Sequence, residues 1–117
     1  MGLFGRKRRG STGGDGTLRG SSPEDVRHLD EFAATRRGVE AFVEPRTAVT
    51  ETTLLLVAHD GEWTRRRIDG PQGAWDFARK RSLPVYDVGI VGYPQRMREW
   101  NAARKAAGEP ERPGPSV

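Results

Sequence analysis

The 117-residue chain contains no cysteine. This excludes disulfides, thiolate metal sites, iron–sulfur ligation and a cysteine nucleophile together, and makes a reducing cytoplasm the expected compartment. Long apolar runs are missing as well. The longest, Leu54 to Ala58, spans five residues, against about 20 for a helix that crosses a bilayer, and no apolar signal region follows the basic start. Neither secretion nor a transmembrane segment is expected. Met1-Gly2-Leu3-Phe4-Gly5-Arg6 departs from the myristoylation pattern, because Arg6 stands where serine or threonine is needed. Hydrophobic side chains are scarce at 34%, against a usual ~45–50% when glycine is counted among them. Glycine and proline, at 15 and 8 residues, are plentiful. Part of the chain is therefore expected to remain outside any core.

What is present begins with charge. The net +4 resides entirely in residues 1–22, where Arg6, Lys7, Arg8, Arg9 and Arg19 face Asp15 alone. Residues 23–62 hold 4 basic and 9 acidic groups, a balance of −5, and residues 63–117 hold 11 and 6, a balance of +5. The two halves should attract each other once folded together. The basic start and the Gly/Ser/Thr stretch after it read as a disordered tail over 1–22, and Pro110, Pro113 and Pro115 mark a second over 108–117. Between them, residues 23–107 form one domain.

Its elements follow from periodicity. Ser22, Pro23 and Asp25 give a capped helix start, and Val26, Leu29, Phe32 and Ala33 place an apolar stripe on one face until Gly38. Val39, Ala41 and Val43 alternate with Glu40 and Glu44 up to Pro45, the mark of an edge strand or a strand end. Thr50 to Ala58 is apolar on both faces and reads as the central strand. Asp60-Gly61 supplies a two-residue hairpin turn into Trp63–Ile68. That turn sets Ala58 opposite Trp63, Leu56 opposite Arg65 and Leu54 opposite Arg67 on one face, with Val57–Thr64 and Leu55–Arg66 on the other. A second helix runs from Asp69-Gly70-Pro71 to about Arg81 with Ala74, Phe77 and Ala78 inward. Leu83 to Val88 makes a short fourth strand, and a last helix from about Pro94 to Ala107 buries Met97 and Trp100. The expected fold is α+β, in the order α-β-β-β-α-β-α: a three-stranded antiparallel meander plus the short fourth strand, covered by helices.

Signs of chemistry are sparse. Gly14-x-Gly16-x-x-x-Gly20 misses the dinucleotide spacing by one and follows no strand, and the patterns GxxxxGK[ST], GxSxG and HExxH do not occur. His28 and His59 read as surface residues rather than metal ligands. Glu40 and Glu44 share a strand face but lie ~13 Å apart, too far for a shared acid–base site. No catalytic residue, metal site or cofactor is assigned. Arginines interleave with aromatics instead: Trp63, Arg65 and Arg67 on one strand, Tyr93, Arg96 and Trp100 about the last helix. Such forks over aromatic platforms bind phosphates, bases or carboxylates, which makes Trp63, Arg65, Arg67, Tyr93 and Arg96 the candidate ligand residues for a small anionic ligand. The competing and favoured reading pairs Arg65–Arg67 with Glu40, Glu44 and Glu51 of neighbouring strands. Arg6, Lys7, Arg8 and Arg9 are candidates for weak, salt-sensitive contact with an anionic surface or nucleic acid. Helix, three strands and helix is also the order of a double-stranded-RNA-binding domain, but Pro71-Gln72-Gly73-Ala74 stands where that module needs basic residues.

The segments Val39-Glu40-Ala41-Phe42-Val43-Glu44-Pro45-Arg46-Thr47, Asp60-Gly61-Glu62-Trp63-Thr64-Arg65-Arg66-Arg67, Pro84-Val85-Tyr86-Asp87 and Gly92-Tyr93-Pro94-Gln95-Arg96-Met97-Arg98 resemble a family of small actinobacterial proteins of unestablished function. The likeness spans most of residues 24–104. It implies one compact unit and supplies no catalytic residue; the oxidoreductase label that some members carry finds no cofactor loop here. The leading expectation is a non-enzymatic binding or accessory protein with a protein partner or small ligand. An oxidoreductase, or a protein that touches nucleic acid or anionic surfaces through its basic tail, are the alternatives.

Overall fold

A computed structural model of the chain describes residues 21–48 and 50–109. The tails expected over 1–22 and 108–117, and the glycines at 14, 16 and 20, fall outside that range except for Ser21, Ser22, Gly108 and Glu109. Within the described residues eight elements follow one another: α1 (Pro23–Thr35), β1 (Glu40–Glu44), β2 (Thr53–Val57), β3 (Trp63–Arg67), α2 (Gly70–Lys80), β4 (Val85–Asp87), α3 (Val88–Val91) and α4 (Gln95–Ala106). The α+β class and the chain order stand as expected, with the one-turn α3 as an addition.

Helix α1 starts where its capping residues require. The Ser22 hydroxyl accepts from the Asp25 N–H, and the Asp25 carboxylate accepts from the Ser22 N–H, so two otherwise orphaned donors are satisfied reciprocally. At the far end of α2, Ser82 takes φ 56° and Leu83 N–H returns to the Ala78 carbonyl, a left-handed stop of the kind glycine usually provides. That stop carries Leu83 and Pro84 out of the expected fourth strand, and the Asp87 side chain then caps α3 by accepting from Gly89 N–H. Only Val85–Asp87 remains as strand.

The sheet order is β3-β2-β1-β4. The first three strands form the expected antiparallel meander, whereas β4 pairs in parallel with β1, so the sheet is mixed. Pro45 lies just beyond β1 and marks a strand end; β1 itself is an inner strand. The hairpin between β2 and β3 corrects the expected register by one residue. Its loop has three residues, His59-Asp60-Gly61, closed by Ala58 N–H to the Glu62 carbonyl at 2.7 Å and Gly61 N–H to the Ala58 carbonyl at 3.0 Å. Gly61 at φ +96° takes the left-handed place such a loop needs. Val57 therefore faces Trp63, Leu56 faces Thr64, Leu55 faces Arg65, Leu54 faces Arg66 and Thr53 faces Arg67.

A one-residue shift exchanges sheet faces. Leu54, Leu56, Ala41 and Val43 join Leu29 and Phe32 of α1 and Ala74, Phe77 and Ala78 of α2 in the larger core. Phe42, Leu55, Val57 and Trp63 point the other way and meet Met97 of α4 in a smaller one, with Val88, Tyr93 and Trp100 packed against it. Each large side chain buried in this way contributes about 1.5–3 kcal/mol. The sheet thus lies between two helical layers, and among the described residues no helix is long and apolar enough to cross a membrane.

Candidate functional site

Strand alternation puts Glu40 and Glu44 of β1, Thr53 of β2, and Trp63, Arg65 and Arg67 of β3 on the face covered by α4. Glu44 pairs directly with Thr53, and Arg65 stands opposite Leu55 one strand further on. The long arginine side chain crosses β2 and grips Glu44 with both arms, Nε to Oε1 and Nη2 to Oε2, each at 2.7 Å. Thr53 Oγ1 donates to Oε1 at 2.7 Å, and the Tyr93 hydroxyl, brought in by the connection between α3 and α4, donates to Oε2 at 2.6 Å. Four donors converge on one carboxylate.

Burial alone would raise the Glu44 carboxyl, but the hydrogen bonds from Arg65, Thr53 and Tyr93 outweigh it and hold the group below the usual carboxylate range. Arg65 moves further up, chiefly through its bond to Glu44. The Tyr93 phenol is pushed up to about 12, first by burial and then by the carboxylate it donates to. Near neutral pH the trio is a fixed carboxylate, a fixed guanidinium and a neutral phenol. None of the three exchanges a proton readily.

Beside this trio opens a cleft of about 470 Å³. It is lined by Glu44, Arg65 and Tyr93, by Pro45, Thr47, Thr50, Glu51 and Thr53 from the β1–β2 connection and the start of β2, and by Val88. The connection is itself ordered by Thr47 and Thr50, whose hydroxyls lie 2.8 Å apart while Thr47 N–H donates to the Thr50 carbonyl. The volume falls within the range of ordinary small-molecule sites.

The five residues singled out from the sequence meet different fates. Arg65 and Tyr93 line the cleft together. Trp63 is buried in the smaller core, and its indole N–H donates to Asn101 Oδ1 at 2.8 Å, so it serves packing rather than as an open platform. Arg96 donates through Nε to the Ala58 carbonyl and through Nη2 to Glu40 Oε1, which fastens α4 to the hairpin. Arg67 is exposed near the end of β3 and does not line the cleft. Of the pairings expected for Arg65–Arg67, Arg65–Glu44 forms, Arg66 approaches Asp25, and Glu40 takes Arg96 instead. Arg6, Lys7, Arg8 and Arg9 lie outside the described residues.

Sequence reasoning did not find Pro45, Thr47, Thr50, Thr53 and Val88 as wall residues, and it named Glu44 and Glu51 only as pairing partners for the arginines. The signal was available in the density of hydroxyls over Thr47, Thr50, Thr52 and Thr53, which periodicity absorbed into the start of a strand. His28, expected at the surface, is half-buried with Nε2 2.6 Å from Thr64 Oγ1, and its pKa is lowered, first by burial and then by the charge of Arg66. His59 is exposed in the hairpin loop. Among the described residues no group of three or more histidine, aspartate or glutamate side chains is placed to hold a metal ion.

Comparison of the chain with protein-family models, with curated proteins and with solved structures gave no significant match.

Proposed function

We propose that this is a non-enzymatic, cytoplasmic binding or accessory protein whose ligand occupies the cleft between the Glu44–Arg65–Tyr93 trio and the threonine-rich connection. The observation that carries the reading is the full occupancy of Glu44. A carboxylate that already accepts four hydrogen bonds, next to a phenol that ionises only near pH 12, is built to hold a shape and not to move protons. Part of the wall is pre-organised: the side chains of Glu44, Thr53, Arg65 and Tyr93 are fixed by one another before any ligand arrives, which lowers the entropy cost of binding. The cytoplasmic setting is supported by the cysteine-free composition. Membership in the small actinobacterial family is part of the same proposal and rests on the four sequence segments quoted above.

Native mass spectrometry of the protein purified from its own cytoplasm tests the reading. A bound small molecule, released when Tyr93 or Arg65 is replaced by alanine in a variant that still folds, is the expected result. Turnover of a nicotinamide or flavin substrate by the pure protein, or a coloured cofactor that co-purifies with it, would replace the reading with an oxidoreductase.

A further inference from the structure

The charge of the cleft wall can be taken group by group. Glu44 and Arg65 are joined by two bonds of 2.7 Å and cancel. Tyr93 is neutral near physiological pH, and the three threonines carry no charge. The remaining ionisable wall residue is Glu51. It is half-buried, and among the described residues it makes no hydrogen bond and no ion pair, while Arg65 and Arg96 on the same side of the sheet are engaged with Glu44 and Glu40. A carboxylate that lines a cleft and makes no contact within the protein is left to solvent or to an N–H group of a molecule that enters the cleft.

We infer that the cleft takes a small organic cation, a primary amine or guanidine on a short apolar stem, with its N–H groups directed to Glu51. The inference rests on the cleft being the ligand site proposed above. The rest of the wall suits such a molecule. Thr50, next to Glu51 in sequence, lines the same cleft, and its hydroxyl oxygen can accept from an N–H group that the carboxylate leaves over. Pro45 and Val88 offer apolar surface for the stem, and the Tyr93 ring gives a face that attracts a cation. An anion fares worse. To reach the guanidinium edge that Glu44 leaves uncovered, it would have to sit in a wall whose net charge is −1 once Glu44 and Arg65 cancel. The small anionic ligand expected from the interleaved arginines and aromatics is therefore not the class this cleft favours, because its arginine is already neutralised.

The test uses the full chain and four probes that share one stem and differ in the head: n-butylammonium, n-butylguanidinium, pentanoate and 1-butanol. Each is titrated while the backbone amides of Thr47, Thr53, Val88 and Tyr93 are followed by NMR. The two cations should shift these amides to saturation, and the anion and the alcohol should not. Glu51→Gln should weaken the cations about tenfold, the loss expected for one charge-assisted contact, while Glu51→Asp restores most of the binding and thermal unfolding shows both variants folded. Saturation by pentanoate or 1-butanol with no response to the cations overturns the cation class and leaves the cleft as a ligand site. Equal cation binding by Glu51→Gln overturns the role of Glu51. If no probe moves the four amides of the folded protein, the inference and the cleft reading fall together.

Discussion

A carboxylate offers about four lone-pair positions to donors, and at Glu44 the Arg65 fork, the Thr53 hydroxyl and the Tyr93 hydroxyl take up that capacity. The side chain is only 12% exposed and that of Arg65 22%, so water replaces little of what a substitution removes. Glu44→Gln keeps the size but deprives Arg65 of its counter-charge. The expected loss is about 2–4 kcal/mol, between an exposed pair and a fully buried one. Urea unfolding near neutral pH measures it. The same residue makes stability depend on pH. Its folded pKa lies below the ordinary 4.5, so its contribution is present above the unfolded value and is lost as pH falls through the folded one. The acid-side decline in unfolding midpoint should therefore be shallower in Glu44→Gln than in the parent. Parallel declines in the two proteins would show that other carboxylates govern acid unfolding.

At the scale of elements, the hairpin between β2 and β3 shows what was legible and what was not. Asp60-Gly61 announces a reversal correctly, and strand composition places the strands on either side of it. The dipeptide does not say whether two or three residues form the loop. The structure uses three, because Gly61 in the left-handed region allows the chain to close with an extra residue, and this single residue moves Trp63 and Arg65 to the opposite face from the one expected. Local rules read the cap at Ser22 and the inward side of α2 without difficulty, since both are decided within a few residues. The Arg65–Glu44 pairing was among those expected between neighbouring strands, whereas Tyr93, 49 positions from Glu44, joins it only through the path of the chain after β4, which local rules do not show.

Gly61 is fixed by a second constraint. A Cβ at this position would stand 2.1 Å from the Arg96 carbonyl oxygen and 2.9 Å from Trp100 Cβ, because α4 rests directly on the loop. Gly61→Ala must therefore either open the hairpin or lift α4. The left-handed backbone alone costs about 1–2 kcal/mol for an alanine, and the clash adds to it. A loss of more than about 2 kcal/mol is expected, together with a shift of the Trp63 indole N–H resonance as its bond to Asn101 loosens. An alanine variant of parent stability with an unmoved indole resonance would mean that α4 does not seat on this loop.

Over the whole molecule, the opposed charges of the two halves are realised as contacts. Arg65–Glu44, Arg66–Asp25, Arg81–Asp30 and Arg96–Glu40 each join an acidic residue before position 63 to a basic one after it. The two faces of the sheet are held unequally, however. Among the described residues, twelve buried ones build the core shared with α1 and α2, and five build the one beneath α4. Helix α4 buries only Met97 completely, begins at Pro94 without a side-chain cap, and is otherwise attached through Trp100, Arg96 and Asn101. A helix with so few buried contacts opens before the domain unfolds. Its amides should exchange with solvent through a local opening, at a lower free energy than those of β1 and β2, which exchange only on global unfolding. Native-state hydrogen exchange over a series of low urea concentrations separates the two cases, since the local process varies little with urea. Tyr93 stands two residues before α4 and its hydroxyl belongs to the cleft wall. A molecule held in the cleft must therefore raise protection along α4 more than along α1, and uniform protection, or none, would place the bound molecule elsewhere.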